Sequence, residues 1–303
     1  MNQTHIYIVG AGAIGKALAV FLKRENKQVI LVRGSVDNIA STEENIRVID
    51  TDESFQEKIT TTTFSNLTSI NGIVLITTKT FGNETIAQKL KEKDGDFSIV
   101  LLQNGLNIER AFENFDEVYR CVLFSTSQVT NDNEVTFKAV TASPIGKIKG
   151  NDCNLDCIIE QINTSNFCFS SENNIQKLVW TKVIANCAFN SICPLLETDN
   201  GIFHRSPEAA KLAKIIIKEC IAIAQTQGIE LNADSLEENL MLISQRSDGQ
   251  LISTYVDLLN KRKTEIESLN LEIANIANKM NKAEFVTNTR LLGELIKLKS
   301  ELY

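Results

Sequence analysis

The feature that most constrains this chain is Gly10-Ala11-Gly12-Ala13-Ile14-Gly15, a G-x-G-x-x-G that follows the apolar run His5–Val9 and opens the helical pattern Ile14–Arg24. The three glycines have separate tasks. The first permits a tight turn, the second lets a pyrophosphate approach the backbone, and the third lets the helix pack on the strand. The helix N-terminus then offers N–H donors and a partial positive charge to an anion. A glycine-rich turn without a ligand is the plain alternative, and the strand-before, helix-after context weighs against it. Gly10, Ala11, Gly12, Ala13, Ile14 and Gly15 are therefore expected to hold a dinucleotide.

The chain beyond Arg24 keeps alternating in the same way. Gln28–Arg33, Gly72–Thr77 and Phe97–Leu102 read as strands, with a helical pattern at Glu84–Lys93 between the last two. Near-continuous apolar strands alternating with helices predict a parallel sheet covered on both faces. From about Tyr119 the segments VYRCVLFSTSQVT, EVTFKAVT and GKIKG carry polar interruptions and read as antiparallel strands at the sheet edge. After Ser171 the pattern is helical: Asn174–Ser191, Pro207–Gln227, Ser235–Arg246, Ser253–Asn260 and Glu265–Met280. The expected fold is α/β, with an N-terminal Rossmann-type doubly wound parallel sheet over residues 1–170 and an all-α C-terminal domain over residues 171–303.

Composition excludes several function classes. Hydrophobic residues make up 43% of the 303 and charged residues 23%, enough to bury a core without disulfides. A formal net charge of −7 argues against a nucleic-acid partner. No stretch approaches a membrane span, and the N-terminus lacks a basic region followed by an apolar one, which together point to the cytoplasm. The 7 cysteines are scattered, and with only His5 and His204 available no metal site is expected. The cysteines read as small apolar residues in a reducing compartment.

The second strand bears on which dinucleotide. An NAD site usually places Asp or Glu at its end, to bind the ribose 2′-OH. Here the strand ends in Val32-Arg33-Gly34-Ser35. An arginine can pair with a 2′-phosphate, so NADPH is the expected cofactor, with a solvated surface arginine as the alternative. Asp37 dissents, from a loop position past the strand.

Chemistry-bearing residues cluster on one helix. In VWTKVIANCAFNSI, Lys182, Asn186 and Asn190 form a single polar stripe at i, i+4 and i+8, flanked on both sides by apolar residues. A helix so apolar should be largely buried, and a buried lysine needs partners that a ligand's oxygens would supply. A solvated stripe is the alternative. Asn104, in Gln103-Asn104-Gly105, and Lys79, after Thr77-Thr78, follow the carboxyl ends of strands, where open α/β sheets bind ligands; an Asn-Gly turn and a surface lysine are the alternatives. Glu265 has a structural reading of its own, a capping box between Thr264 and Glu267.

Taken in order, GAGAIG, VRG, TTK at 77–79, QNG at 103–105, WTKVIANCAFN at 180–190 and STYVDLLNKRKTEIESLN at 253–270 resemble the ketopantoate reductases (2-dehydropantoate 2-reductases), within the wider 6-phosphogluconate-dehydrogenase-like group. The resemblance spans nearly the whole chain. It implies that Lys182 is the general acid and that Glu265 belongs to the active site. It also implies that Asn104, Asn186 and Asn190 bind substrate or position the lysine, that Ser253 binds substrate, and that Lys79 lies near the cofactor and the catalytic centre; Asn104 is expected to touch the cofactor as well. The implied reaction is NADPH-dependent reduction of ketopantoate to D-pantoate, on the way to pantothenate and coenzyme A.

Two departures stand out. The family's Asn-Pro becomes Asn190-Ser191, with the proline displaced to Pro194, and the glycine after TEIESLN becomes Leu271. Both are expected near the substrate. They leave open a paralogous reductase of another 2-oxo acid, and a non-enzymatic NADPH sensor is a further alternative that the retained Lys182 argues against. The C-terminal helices also leave a homodimer open.

Overall fold

The structure is a computed structural model that describes residues 4–51 and 53–302. The chain forms two compact units. One runs to Gln103 and resumes over Ile108–Ile175; the other comprises Asn104–Asn107 and the chain from Gln176 onward.

The first unit is built on a single sheet. Its strands are β1 (His5–Val9), β2 (Gln28–Arg33), β3 (Thr42–Asp50), β4 (Glu53–Thr63), β5 (Gly72–Ile76), β6 (Phe97–Leu101), β7 (Val118–Cys121), β8 (Ser125–Asn131), β9 (Glu134–Ala139), β10 (Ser143–Lys149) and β11 (Phe169–Ser171). Its helices are α1 (Ala13–Arg24), α2 (Asn83–Lys91) and α3 (Asp152–Ile162). The strand order is β11-β10-β7-β6-β5-β1-β2-β4-β3-β9-β8. From β7 to β4 every pairing is parallel. Strand order reverses beside β1, the place where such sheets bind ligands beyond their carboxyl ends.

Alternation along β1 shows why its sequence is apolar throughout. Ile6 and Ile8 pack with α1 and α3 on one face, and Tyr7 and Val9 pack with α2 on the other. Both faces are covered, so no position is left for a polar residue.

The structure adds elements that the pattern reading lacks: the antiparallel hairpin β3–β4 and helix α3. The antiparallel expectation after Tyr119 holds for β8 with β9 and for β7 with β10. However, β7 joins β6 in parallel and β9 joins β3 in parallel.

The second unit consists of α4 (Ile175–Leu195), α5 (Ile202–Arg205), α6 (Pro207–Thr226), α7 (Ala233–Arg246), α8 (Ser253–Leu259), α9 (Asn270–Lys279) and α10 (Thr287–Glu301), with no strand among the described residues. Local chemistry sets the starts of two helices. Ser206 Oγ accepts from the Ala209 amide at 3.2 Å and Pro207 opens the first turn of α6, while Asn232 Oδ1 accepts from the Ser235 amide at 2.9 Å ahead of α7. Inside, Phe189 meets Phe203 edge-on with centroids 4.8 Å apart. The expected helix Glu265–Met280 is corrected: Ile266–Ser268 forms a short 3₁₀ turn and α9 begins only at Asn270, because Leu269 leaves helical geometry at φ −111° and ψ −107°. Helix α10 is also new relative to the pattern reading.

Among the described residues no helix is long and apolar enough to cross a membrane. Cys121, Cys187, Cys193 and Cys220 are buried free thiols, and burial pushes the Cys193 thiol up to about 12. Cys157 and Cys168 are exposed, unlike the small core residues expected of them.

Candidate active site

In the first unit the glycine motif can be tested position by position. Gly10 sits at φ +124°, and a Cβ there would lie 2.7 Å from Thr77 Oγ1 and 2.8 Å from the Thr78 amide nitrogen. A Cβ on Gly15 would lie 1.9 Å from the Gly10 carbonyl oxygen, so only glycine lets α1 approach β1 this closely. A Cβ on Gly12 would meet nothing within 4 Å. Gly12 is exposed, it begins α1 without a side-chain cap, and the first turn of α1 carries no acid. Ala11, Ala13 and Ile14 around it are half-buried. An uncapped, positively polarised helix end with clear space before it suits a pyrophosphate. The residues present fit a dinucleotide.

The loop after β5 is held from two sides. Thr77 Oγ1 donates to the Gly10 carbonyl at 3.0 Å, and Gln103 Nε2 donates to the Thr78 carbonyl at 2.8 Å. Gln103 is itself locked in a reciprocal amide pair with Asn83, at 2.6 and 3.0 Å. Lys79, half-buried, follows at the head of a short 3₁₀ turn. Sequence reading singles out Asn104 and passes over Gln103, although both stand in the same QNG segment.

The end of β2 carries a charge cluster. Arg33 Nη2 donates to Glu44 Oε1 at 2.5 Å, and Thr42 Oγ1 donates to the same oxygen at 3.2 Å. Lys16, buried in the second turn of α1, donates to the Asp132 carbonyl. Burial lowers its pKa, with Glu44 and Asp132 pulling the other way and Arg33 adding to the fall. Asp37 is engaged elsewhere. Its carboxylate accepts from the Ser65 amide at 2.7 Å and pairs with Lys89 at 3.1 Å. Burial works to raise its pKa, but the bonds from Ser65 and Lys89 outweigh it and hold the carboxyl well below its ordinary range.

In the second unit, α4 is apolar on both flanks of its polar stripe. Val179, Trp180, Val183, Ile184, Ala185, Cys187, Ala188 and Phe189 are all buried. Lys182 and Asn186 are half-buried, and Asn190 is 3% exposed. A purely solvated stripe is thereby excluded at its third member. Asn190 Nδ2 donates to the Asn186 carbonyl at 3.0 Å. Its Oδ1 faces the start of α8, within 3.4 Å of both Ser253 Oγ and the Thr254 amide nitrogen. The structure thus brings Asn186, Asn190 and Ser253 together, with the Ser253 side of α8 exposed.

A second grouping sets the turn after Asn104 against the segment that follows Glu265. Gly105, at φ +111°, lies so close to Ser268 that a Cβ would be 2.6 Å from the Ser268 Cβ. The Leu106 amide donates to the Ser268 carbonyl at 2.9 Å, and Asn107 Nδ2 donates to Glu272 Oε1 at 2.6 Å. The Glu265 carbonyl accepts from Ser268 Oγ at 2.9 Å. Glu265 is 9% exposed and precedes a 3₁₀ turn that has no side-chain cap. The capping-box reading therefore fails. Asn270, fully buried, also escapes the sequence reading; its Nδ2 donates to the carbonyls of Cys187 in α4 (3.2 Å) and Thr289 in α10 (3.4 Å). His204 lies apart from these groups, against Ser244 of α7.

The two departures resolve differently. Ser191 is fully buried and donates to the Cys187 carbonyl at 2.6 Å. Pro194 lies inside the last turn of α4 and has no N–H, so it cannot bond the Asn190 carbonyl as a helical residue would. Leu271 packs in the core with Leu258, Ile266 and Ile296, where Gly293 of α10 makes room: a Cβ there would lie 2.8 Å from Leu271 Cδ2. Leu271→Ala should cost about 2–5 kcal/mol in urea unfolding, as large-to-small core changes do, and leave the substrate KM unchanged.

Comparison with known proteins bears on the family and the fold. Residues 6–150 match the family described as "Ketopantoate reductase PanE/ApbA", and residues 174–300 match "Ketopantoate reductase PanE/ApbA C terminal". The chain is 26% identical over 273 residues to a 2-dehydropantoate 2-reductase of Streptococcus pyogenes serotype M6, with 88% of each chain covered. It shares its fold with a D-mandelate dehydrogenase solved with NADH and anilino(oxo)acetate (TM-score 0.88, 20% identity, 98% of each chain covered). It also shares its fold with a dimeric ketopantoate reductase from Staphylococcus aureus (TM-score 0.82, 20% identity, 98% of this chain and 99% of that one). Matched over residues 6–150 and 174–300, the chain belongs to the ketopantoate reductase family.

Proposed function

We propose that this protein reduces 2-dehydropantoate (ketopantoate) to D-pantoate with NADPH, supplying a precursor of pantothenate and coenzyme A. The observation that carries this reading is the stripe on α4: a half-buried lysine aligned with two asparagines, the inner of which reaches the start of α8 at Ser253. Family membership supports the reaction class. The NADH-bound mandelate dehydrogenase supports a nicotinamide cofactor.

The glycine turn and the N-terminus of α1 hold the pyrophosphate, Arg33 takes the 2′-phosphate, and Lys79 lies toward the reacting end. A bound reduced nicotinamide supplies a hydride to C2 of the substrate. As C2 is reduced, negative charge builds on its oxygen. Lys182, as an ammonium, stabilises that charge and donates the proton. Asn104, Asn186 and Ser253 hold the substrate's oxygens, Asn190 positions Ser253, and Glu265 orients the lysine. The test is the loss of reduced-nicotinamide absorbance with ketopantoate and with a panel of 2-oxo acids. Strong preference for ketopantoate supports the reading. Preference for another 2-oxo acid keeps the mechanism and discards the substrate. Tight NADPH binding without any turnover sinks the enzyme assignment.

The partner is a second copy of the chain, as in the dimeric relative. A cleft between Leu195, Leu212, Ile215 and Leu291 on α4, α6 and α10, with Leu196, Leu295 and Leu298 also exposed, supplies apolar surface for that contact. Leu291→Glu should shift sedimentation from dimer to monomer; a monomeric wild-type protein would refute the assembly.

A further inference from the structure

Arg33 considered alone makes the end of β2 a site that favours NADPH strongly. The hairpin β3–β4 changes its chemistry. β4 pairs in parallel with β2, placing Thr63 opposite Arg33, and β3 pairs with β4 from Thr42 to Asp50. This stacking delivers Glu44, two strands away in the sheet, to the Arg33 guanidinium at 2.5 Å. The glutamate is 15% exposed at its side chain, and Thr42 Oγ1 holds the same oxygen. Arg33 remains 40% exposed at its side chain. The acid that NAD sites place at the end of the second strand is thus present in space, although absent there in sequence.

We infer that Glu44 is the residue that sets nucleotide preference, a reading that rests on the nicotinamide site proposed above. Two effects act in the same direction. The carboxylate already satisfies part of the arginine's donor fork, so a 2′-phosphate gains less from it than from a free guanidinium. A phosphate dianion brought beside Glu44 also meets like-charge repulsion, whereas a ribose 2′-OH can donate to the same carboxylate. Asp37 does not share this role, because Ser65 and Lys89 occupy its carboxylate. Glu44 therefore narrows the advantage of NADPH over NADH, and the protein binds both.

The experiment is direct titration of each reduced nucleotide into the full-length protein, followed by nucleotide fluorescence or calorimetry, without substrate. Glu44→Gln should tighten NADPH by about tenfold while NADH stays equal or weakens. In an Arg33→Gln background the same change should bring a smaller gain for NADPH, since only the like-charge repulsion is relieved and there is no guanidinium to release. A ratio of the two affinities that Glu44→Gln leaves unchanged overturns the inference while the nicotinamide site stands. Failure of the wild-type protein to bind either nucleotide overturns both. Circular dichroism of the variants separates a change in preference from a change in fold.

Discussion

Replacing Lys182 with alanine is expected to lower kcat for 2-oxo acid reduction by about 10²–10⁴-fold, the range that a positioned general acid contributes. The variant should fold. Lys182 is half-buried, and the residues that fasten α4, from Val179 to Phe189, are apolar neighbours on its flanks. Removing a charged side chain from such a stripe takes away no core volume. Nucleotide affinity should be unchanged, because the glycine turn and Arg33 belong to the first unit and Lys182 to the second. Lys182→Arg should be nearly as inactive, since a guanidinium keeps its charge but does not give up its proton at neutral pH. Steady-state kinetics beside nucleotide titration separates these outcomes. A Lys182→Ala variant with wild-type kcat would remove the lysine from the chemistry.

The second large effect is expected at Gly15. An added methyl would stand 1.9 Å from the Gly10 carbonyl oxygen, a backbone atom that cannot rotate away. Either α1 lifts from β1 or the turn opens. Both disturb a core in which Ala17, Leu18, Phe21 and Leu22 are essentially fully buried. Overpacking typically costs about 1–3 kcal/mol and occasionally more; Gly15→Ala belongs at the upper end and should lose nucleotide binding as well. Gly12→Ala is the informative partner. Its methyl would meet no protein atom within 4 Å, so the melting temperature should hold. The methyl would instead occupy the space before the helix end, and nucleotide affinity should fall by about tenfold, ~1.4 kcal/mol. Thermal melts and titrations of both variants check this. Equal stability losses at Gly12 and Gly15 would contradict the division of labour between them.

Much of the first unit is legible in the sequence because its information is local. The glycine turn, the apolar strands and the following helix lie within a few residues of one another. The hairpin β3–β4 is not, because its inward residues are sparse. Ile46 and Val48 on one strand, and Phe55 and Ile59 on the other, stand among Glu, Lys, Gln and Thr. Two-residue spacing at Ile46 and Val48 is the signal available. Missing the hairpin means missing Glu44, whose approach to Arg33 arises from strand pairing rather than spacing along the chain. The α4 stripe is legible from helical periodicity, but the partners of Asn190 are not, since Ser253 and Thr254 arrive from a separate helix. Leu271 shows the converse difficulty. It departs from the family pattern, and only the facing Gly293 reveals it as packing.

The four residues Asn104–Asn107 leave the sheet unit, bond to Ser268 and Glu272 in the helical unit, and the chain then returns at Ile108. The helical half is therefore not a contiguous stretch of gene. Recombination at the junction near residue 175 would hand a descendant the helices without the turn that packs on Ser268. Halves drawn from diverged relatives would match only where that turn and its receiving surface had changed in step. A chimera that takes the helical unit from a relative should therefore carry residues 104–107 with it.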